Sequence, residues 1–113
     1  MSPVENDHRC LQVLRDLLLG LPGVREGKMF GFPALFVGKK LFACVYGDVV
    51  GFKVPEDLAR RLLEDPRFDP FQPRGRRRMR EWVQFPCAPH EEIDDYQEVL
   101  LASYEYVGSR GDS

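Results

Sequence analysis

The sequence predicts an α+β fold in which a single antiparallel sheet packs against helices. Between positions 34 and 54, three short runs of apolar, aromatic and β-branched residues each have the composition of a β-strand. Glycine-containing turns at Gly38-Lys39 and Gly47-Asp48 leave connections of two or three residues, so neighbouring strands must run antiparallel. Segments with helical periodicity lie before and after these runs. We therefore expect the order helix, four-strand meander, helix, fifth strand and C-terminal helix.

The first predicted helix starts at a cap supplied by Asn6 or Asp7 and ends near Gly20, because leucines recur between them at helical spacing. The strands of the meander are predicted at residues 24–30, 34–37, 40–46 and 49–54. Residues 31–33 are predicted to form a turn or bulge, because Pro33 lacks the N–H group that a central strand would use.

The second half of the chain alternates helix, loop, strand and helix. Pro55 and the two acids after it predict a helix through about residue 64, because proline suits the first helical position and acids suit the positive end of the helix dipole. Residues 65–75 are rich in proline, aspartate and arginine and are predicted to form a loop. A fifth strand is expected at residues 80–85. The last helix begins after Pro89, ends at Gly108, and carries one apolar face formed by Ile93, Tyr96, Leu100, Tyr104 and Val107.

Length and composition indicate an ordinary globular protein. A chain of 113 residues predicts one domain over residues 1–113, with a core at about 7–108 and flexible ends. The formal net charge of −2 excludes a global field that would draw the protein to nucleic acid or to a membrane. Three cysteines without a C-x-x-C motif predict reduced thiols and a cytoplasmic location. Every apolar stretch is far shorter than the ~20 residues of a membrane span, so we expect no membrane partner.

An ordered set of short motifs resembles a known family. The motifs are Lys28-Met29-Phe30-Gly31, Leu35-Phe36, Gly38-Lys39, Leu41-Phe42-Ala43, Phe52-Lys53-Val54-Pro55, residues 68–71 and residues 82–86 before an acidic helix start. Over about residues 10–107 this set resembles the N-terminal domain of the TfoX/Sxy family and, more loosely, the YjbR-type proteins. The chain departs from the family pattern at Phe32, where a second glycine is usual, and we expect it to hold no counterpart of the second domain of full-length competence regulators. The resemblance implies the fold and a non-enzymatic binding or regulatory role with a protein partner.

An arginine-rich segment is the candidate nucleic-acid-binding site. Its five arginines are Arg74, Arg76, Arg77, Arg78 and Arg80. Guanidinium groups bind phosphates, the neighbouring Trp82 offers a ring on which a base can stack, and Lys39 and Lys40 extend the positive patch from a hairpin turn. Binding of this kind would be weak and largely independent of sequence, because phosphates carry no sequence information. Alternatively, these arginines keep an edge strand soluble, bind an acidic protein, or pair with the acids of residues 91–95.

The strands of the meander are apolar on both faces. Strict alternation places Leu41, Ala43 and Val45 on one face, and Phe42, Cys44 and Tyr46 on the other. Ala34 and Phe36 are likewise predicted to point away from Leu35 and Val37. A sheet with helices on one side would alternate apolar with polar residues, so both faces require a cover. We favour helices on both sides; a second copy of the chain, giving a homodimer, and an apolar ligand are the alternatives.

The sequence offers no recognisable catalytic machinery. His8 and His90 stand far apart and fit no metal-ligand spacing. Cys87 lies three residues before His90, but no third group is evident that would orient the pair, so a nucleophilic thiol is the least favoured hypothesis. No phosphate-binding loop or dinucleotide fingerprint is present. We therefore expect no enzyme activity, no catalytic residues, no metal and no cofactor.

Overall fold

A computed structural model describes residues 8–73 and 79–110 of the chain. Its elements, in order, are α1 (His8–Leu18), β1 (Val24–Met29), β2 (Phe32–Val37), β3 (Lys40–Tyr46), β4 (Val49–Lys53), α2 (Glu56–Leu62), β5 (Asp69–Pro70), β6 (Trp82–Pro86), a 3₁₀ helix (His90–Tyr96) and α3 (Gln97–Arg110). The predicted α+β fold, with one sheet packed against helices, is confirmed. The predicted caps Asn6 and Asp7 lie outside the described residues, and so do residues 1–6 and 111–113 of the predicted flexible ends.

All neighbouring strands of the sheet run antiparallel, in the order β1-β2-β3-β4-β6-β5. The first four strands form the predicted meander. Strand β6 then pairs with β4, and the two-residue strand β5 pairs with the outer side of β6. Strand β5 falls inside the predicted loop of residues 65–75, because two residues are too few to show the alternation that marks a strand.

The turn between β1 and β2 lies one residue earlier than predicted. It consists of Phe30 and Gly31, which both adopt left-handed backbone conformations, with φ of 52° and 83°. Two such residues in a two-residue loop match the twist of a β-hairpin. The predicted turn at residues 31–33 is therefore wrong, since Phe32 pairs with Met29 and Pro33 lies opposite Lys28. Pro33 is tolerated because the pairing of β2 with β3 begins only at the next residue.

A β-bulge in β3 changes the face of the sheet to which the first side chains of this strand point. Leu35 lies opposite Ala43, whereas Phe36 lies opposite Leu41, so Phe42 is an extra residue on β3. As a result Phe42 joins Ala43 in the cluster on the helix side of the sheet, and Leu41 joins the cluster on the other side. The strict alternation predicted from the sequence is wrong at residues 41 and 42 and correct from Ala43 to Tyr46.

The main core lies between the helices and one face of the sheet. At its centre the ring of Phe85 stacks on that of Tyr96, with 3.9 Å between centroids and 4° between planes. Phe52 and Phe68 pack around this pair. Helix α3 also provides a hydrogen-bond donor to the bulge. The hydroxyl of the fully buried Ser103 donates a 2.9 Å hydrogen bond to the carbonyl of Phe42.

The C-terminal helical segment differs from the prediction at both ends. It begins as the 3₁₀ helix, and α3 continues past Gly108 to Arg110, so the predicted end at Gly108 is wrong. Gly108 instead packs against the sheet, where an added Cβ would come within 3.4 Å of a Val37 methyl group. In the predicted apolar face, Tyr104 is half-buried and the other four residues are buried. No helix among the described residues is long and apolar enough to cross a membrane.

Candidate functional site

One face of the sheet is free of helices in the described part of the chain, and we name it the open face. Its side chains form a second apolar cluster: Ala34, Cys44 and Phe71 are buried, with Met29, Phe36, Leu41, Tyr46, Val49, Met79 and Trp82 around them. None of these residues belongs to a helix. The expectation that helices cover both faces is therefore wrong for the described residues, because the helices pack together on the opposite face.

A row of small residues crosses the open face. The strand register places Gly27, Ala34, Cys44 and Gly51 opposite one another in consecutive strands from β1 to β4. Two rings lie over the ends of this row. A Cβ on Gly51 would come within 2.8 Å of the Phe71 ring, and a Cβ on Gly27 within 3.0 Å of the Phe36 ring. The two glycines are therefore explained by the close approach of aromatic rings to the backbone.

Aromatic side chains continue across the open face from β2 to β6. Ring centroids are 4.4 Å apart for Phe32 and Tyr46, 6.0 Å for Tyr46 and Phe71, and 5.6 Å for Phe71 and Trp82. Phe71 is also fixed through its backbone, whose N–H donates to the carbonyl of Trp82 at 3.2 Å. These contacts lie within the distances at which aromatic pairs stabilise each other, so the open face is a pre-formed surface.

A cavity of about 290 Å³ opens on this face. Seven apolar side chains line it: Met29, Phe30, Leu41, Phe71, Pro73, Met79 and Trp82. The volume is at the lower end of the roughly 300–1,000 Å³ typical of ligand pockets, so the cavity suits a small apolar group. Among the described residues the wall contains no ionisable side chain, although acid–base catalysis requires one within hydrogen-bond reach of the substrate.

Phe30 is the most unusual residue of the cavity wall. Its side chain is 62% exposed, and its φ of 52° is rare for a bulky residue. A left-handed conformation costs roughly 1–2 kcal/mol at a residue other than glycine. Backbone strain of this kind is found preferentially at functional sites. Phe30 was not predicted as a site residue, although the sequence shows that it directly precedes Gly31, the turn glycine of the hairpin.

Of the five arginines predicted as a site, the structure describes only Arg80. Arg74, Arg76, Arg77 and Arg78 lie outside the described residues. Arg80 is exposed, and its Nη1 atom lies 3.8 Å from Oε2 of Glu56 in α2. Lys39 is exposed in the β2–β3 turn, and Lys40 is half-buried at the start of β3. Lys40 and Arg80 each stand next to a residue of the cavity wall, Leu41 and Met79.

The three thiols lie inside the protein. Cys10, Cys44 and Cys87 are each at most 1% exposed. Burial raises the pKa of the Cys44 thiol to about 12, so this thiol is protonated at neutral pH. Cys87, the hypothetical nucleophile, is buried in the main core. The described ranges 8–73 and 79–110 contain no cluster of three or more histidine, cysteine or acidic residues that could hold a metal ion.

Comparison with known proteins identifies the family. The family model for the TfoX N-terminal domain matches residues 16–106, so this chain belongs to the TfoX N-terminal domain family. The crystal structure of the Deinococcus radiodurans protein DR2400, which carries a DUF419 domain, has a similar fold. Its TM-score is 0.73 at 17% sequence identity, and the match covers 99% of this chain and 85% of that protein. No curated protein matches the sequence significantly.

Proposed function

We propose that this chain, a member of the TfoX N-terminal domain family, is a non-enzymatic binding module. It acts in the cytoplasm through a protein partner and has a regulatory role. The observation that carries the proposal is the apolar cavity of the open face, with Phe30, an exposed residue of left-handed backbone conformation, at its wall. Protein interfaces are rich in aromatic residues and methionine at their centres, and Phe30, Met79 and Trp82 are side chains of these types.

The size and chemistry of the cavity define what the partner contributes. About 290 Å³ accommodates one or two apolar side chains, and every described wall residue is apolar. A partner that inserts a large apolar side chain would bury the exposed part of the Phe30 and Trp82 rings. Exposed rings that become fully desolvated in this way are the usual source of large binding energies at interfaces.

The ionisable groups with shifted pKa values support a binding role rather than catalysis. The pKa values of Glu26 and Asp65 are lowered, in each case chiefly by hydrogen bonds from an arginine, and neither carboxylate belongs to the cavity wall. The pKa values of Cys44 and Tyr96 are raised by burial. These shifts are those expected of surface ion pairs and buried polar atoms.

Site-specific photo-crosslinking in cells tests the proposal. A benzoylphenylalanine placed at Phe30 is compared with the same group at Leu19, a second exposed apolar residue that lies outside the open face. We expect a discrete crosslinked protein from position 30, reduced strongly by Trp82→Ala, and none from position 19. Equal products from both positions, or none from position 30, would contradict the proposal.

A second candidate function is weak nucleic-acid binding through the segment from Arg74 to Arg80. It is favoured by Arg80, whose side chain is 80% exposed and meets Glu56 only at 3.8 Å. The test is a titration with single-stranded DNA and RNA at two salt concentrations. Replacement of Arg76, Arg77 and Arg78 by alanine is compared with Arg61→Ala in α2.

The salt dependence distinguishes phosphate binding from a general charge effect. Each arginine that neutralises a phosphate steepens the plot of log affinity against log salt by about 0.7–0.9, so the triple variant should give a flatter plot than the wild type. Arg61→Ala should leave the slope unchanged. Absent binding at low salt, or equal binding by both variants, removes this candidate.

A further inference from the structure

The two edges of the sheet differ in how well they are protected. Strand β5 forms one edge, and it has only two residues, one of which is Pro70. Strand β1 forms the other edge with six residues and a regular register, and within the described residues it pairs with β2 alone. A long, regular edge strand without proline or bulge is a template for pairing with another strand.

The hydrogen bonds around Gly23 show which backbone groups of β1 face outward. The N–H of Gly38 donates to the carbonyl of Gly23 at 3.0 Å, so the backbone of Gly23 points toward β2. The N–H of Val24 instead donates to the carbonyl of Leu21 at 3.1 Å. Because the two sides alternate along an antiparallel strand, the N–H and C=O groups of Glu26 and Lys28 point to the outer side of the edge.

We propose that two copies of this chain associate through their β1 strands, paired antiparallel about a two-fold axis at Gly27. Glu26 of one copy then lies opposite Lys28 of the second copy, and the symmetry repeats this pair. Each pair exchanges backbone hydrogen bonds through the outward N–H and C=O groups of both residues. The sheet of one copy continues into the sheet of the other.

The charges of β1 select this register among the possible ones. Glu26 and Lys28 alternate with Arg25 and Met29, so both point to the helix side of the sheet. Arg15 of α1 holds the Glu26 carboxylate there with hydrogen bonds of 2.7 and 2.8 Å from Nε and Nη2. A register centred on Glu26 or on Lys28 would oppose like charges, which is unfavourable for directly facing residues. The register centred on Gly27 opposes unlike charges and has no side chain at its axis.

The open face remains accessible in this dimer. Arg25, Gly27 and Met29 occupy the open-face positions of β1, and Arg25 lies over the Phe36 ring with 4.8 Å between its guanidinium carbon and the ring centroid. Pairing at the edge extends the sheet beyond β1 and places Arg25 of the second copy opposite Met29 of the cavity wall. The pairing does not require the proposed partner of the open face.

Complementary charge variants test the pairing. Light scattering during size-exclusion chromatography of the wild type should give a mass that rises with concentration toward twice the 13.0 kDa of one chain. Glu26→Lys and Lys28→Glu each place like charges opposite each other, so each alone should weaken association roughly tenfold or more. An equimolar mixture of the two variants restores both unlike pairs and should associate as well as the wild type. Arg61→Glu, an equal charge reversal at an exposed position of α2, should have no effect.

Amide hydrogen exchange keeps the proposal falsifiable if a variant folds poorly. In the wild type the N–H groups of Glu26 and Lys28 should exchange slowly at high concentration and faster on dilution. The N–H of Gly27, which points toward β2, should not change. A wild type that stays monomeric at millimolar concentration overturns the proposal. So does a dimer that both single charge variants form as well as the wild type, or one without added protection at Glu26 and Lys28.

Discussion

The two faces of the sheet are built from similar residues but are packed differently. On the helix side, Phe52 and Phe85 are completely buried among the side chains of other elements. On the open face, Phe36 and Trp82 are half-buried, and the rings of Phe36 and Phe71 lie over small residues instead of under helices. The helix side supplies the stability of the fold, whereas the open face presents a pre-formed apolar surface that a partner can complete.

The largest expected difference between the faces is the cost of removing a ring. Phe85→Ala removes a fully buried ring that stacks on Tyr96, so it should lower the free energy of unfolding by about 3–5 kcal/mol. Phe36→Ala, the matched change on the open face, should cost about 1–2 kcal/mol because its ring is only partly buried. Urea denaturation monitored by circular dichroism measures both. Equal costs would show that the two faces contribute alike.

The second comparison concerns the ring of Phe71, which lies over Gly51 at one end of the row of small residues. Gly51→Ala places a methyl group within 2.8 Å of the Phe71 ring, so it should destabilise the protein by about 1–3 kcal/mol. Gly20→Ala is the control, because nothing lies within 4 Å of an added Cβ there and its effect should stay within about 0.5 kcal/mol. In the background of Phe71→Leu, the cost of Gly51→Ala should shrink. An unchanged cost there would contradict the close approach of the ring as its cause.

A smaller difference separates stability from binding at Phe30. Phe30→Gly and Phe30→Ala lose the same partly buried ring, but only glycine relieves the left-handed backbone strain. Phe30→Gly should therefore be more stable than Phe30→Ala, by about 1 kcal/mol. Thermal denaturation compares the two variants, and equal stabilities would contradict the strain. If the open face binds the proposed partner, both variants should lose that binding, although they differ in stability.

The smallest expected effect lies at the rim of the helix side, where Arg15 joins α1 to β1. Hydrogen bonds from Arg15 hold the pKa of Glu26 below its ordinary value of 4.5. The pair therefore stabilises the protein above about pH 4.5, and this contribution is lost as the pH falls through the lowered native pKa. The free energy of unfolding is measured at neutral and at acid pH for the wild type and for Glu26→Gln. It should fall less with acidification in Glu26→Gln than in the wild type. Parallel pH profiles of the two proteins would contradict the pair's contribution.

The candidate site was predicted less well than the fold, for a physical reason. Two apolar faces on β2 and β3 were visible, but alternation cannot show a bulge, so Leu41 and Phe42 were assigned to the wrong faces. Phe71 was expected in a loop, and its place over Gly51 depends on a contact between residues far apart in the chain. The arginine hypothesis stays a prediction, because four of its five residues lie outside the described ranges and Arg80 alone is placed beside Glu56.

The sequence by itself determined the main helices, the antiparallel meander and the family, because hydrophobic periodicity and two-residue turns are local properties of the chain. Tertiary structure decided which other parts of the chain each helix and strand contacts. It placed every described helix on one face, put a ring over Gly51, and gave the carbonyl of Phe42 its partner in Ser103. It also left β1 as a long outer edge. These features depend on distances between residues far apart in sequence, and no local pattern of side chains encodes such distances.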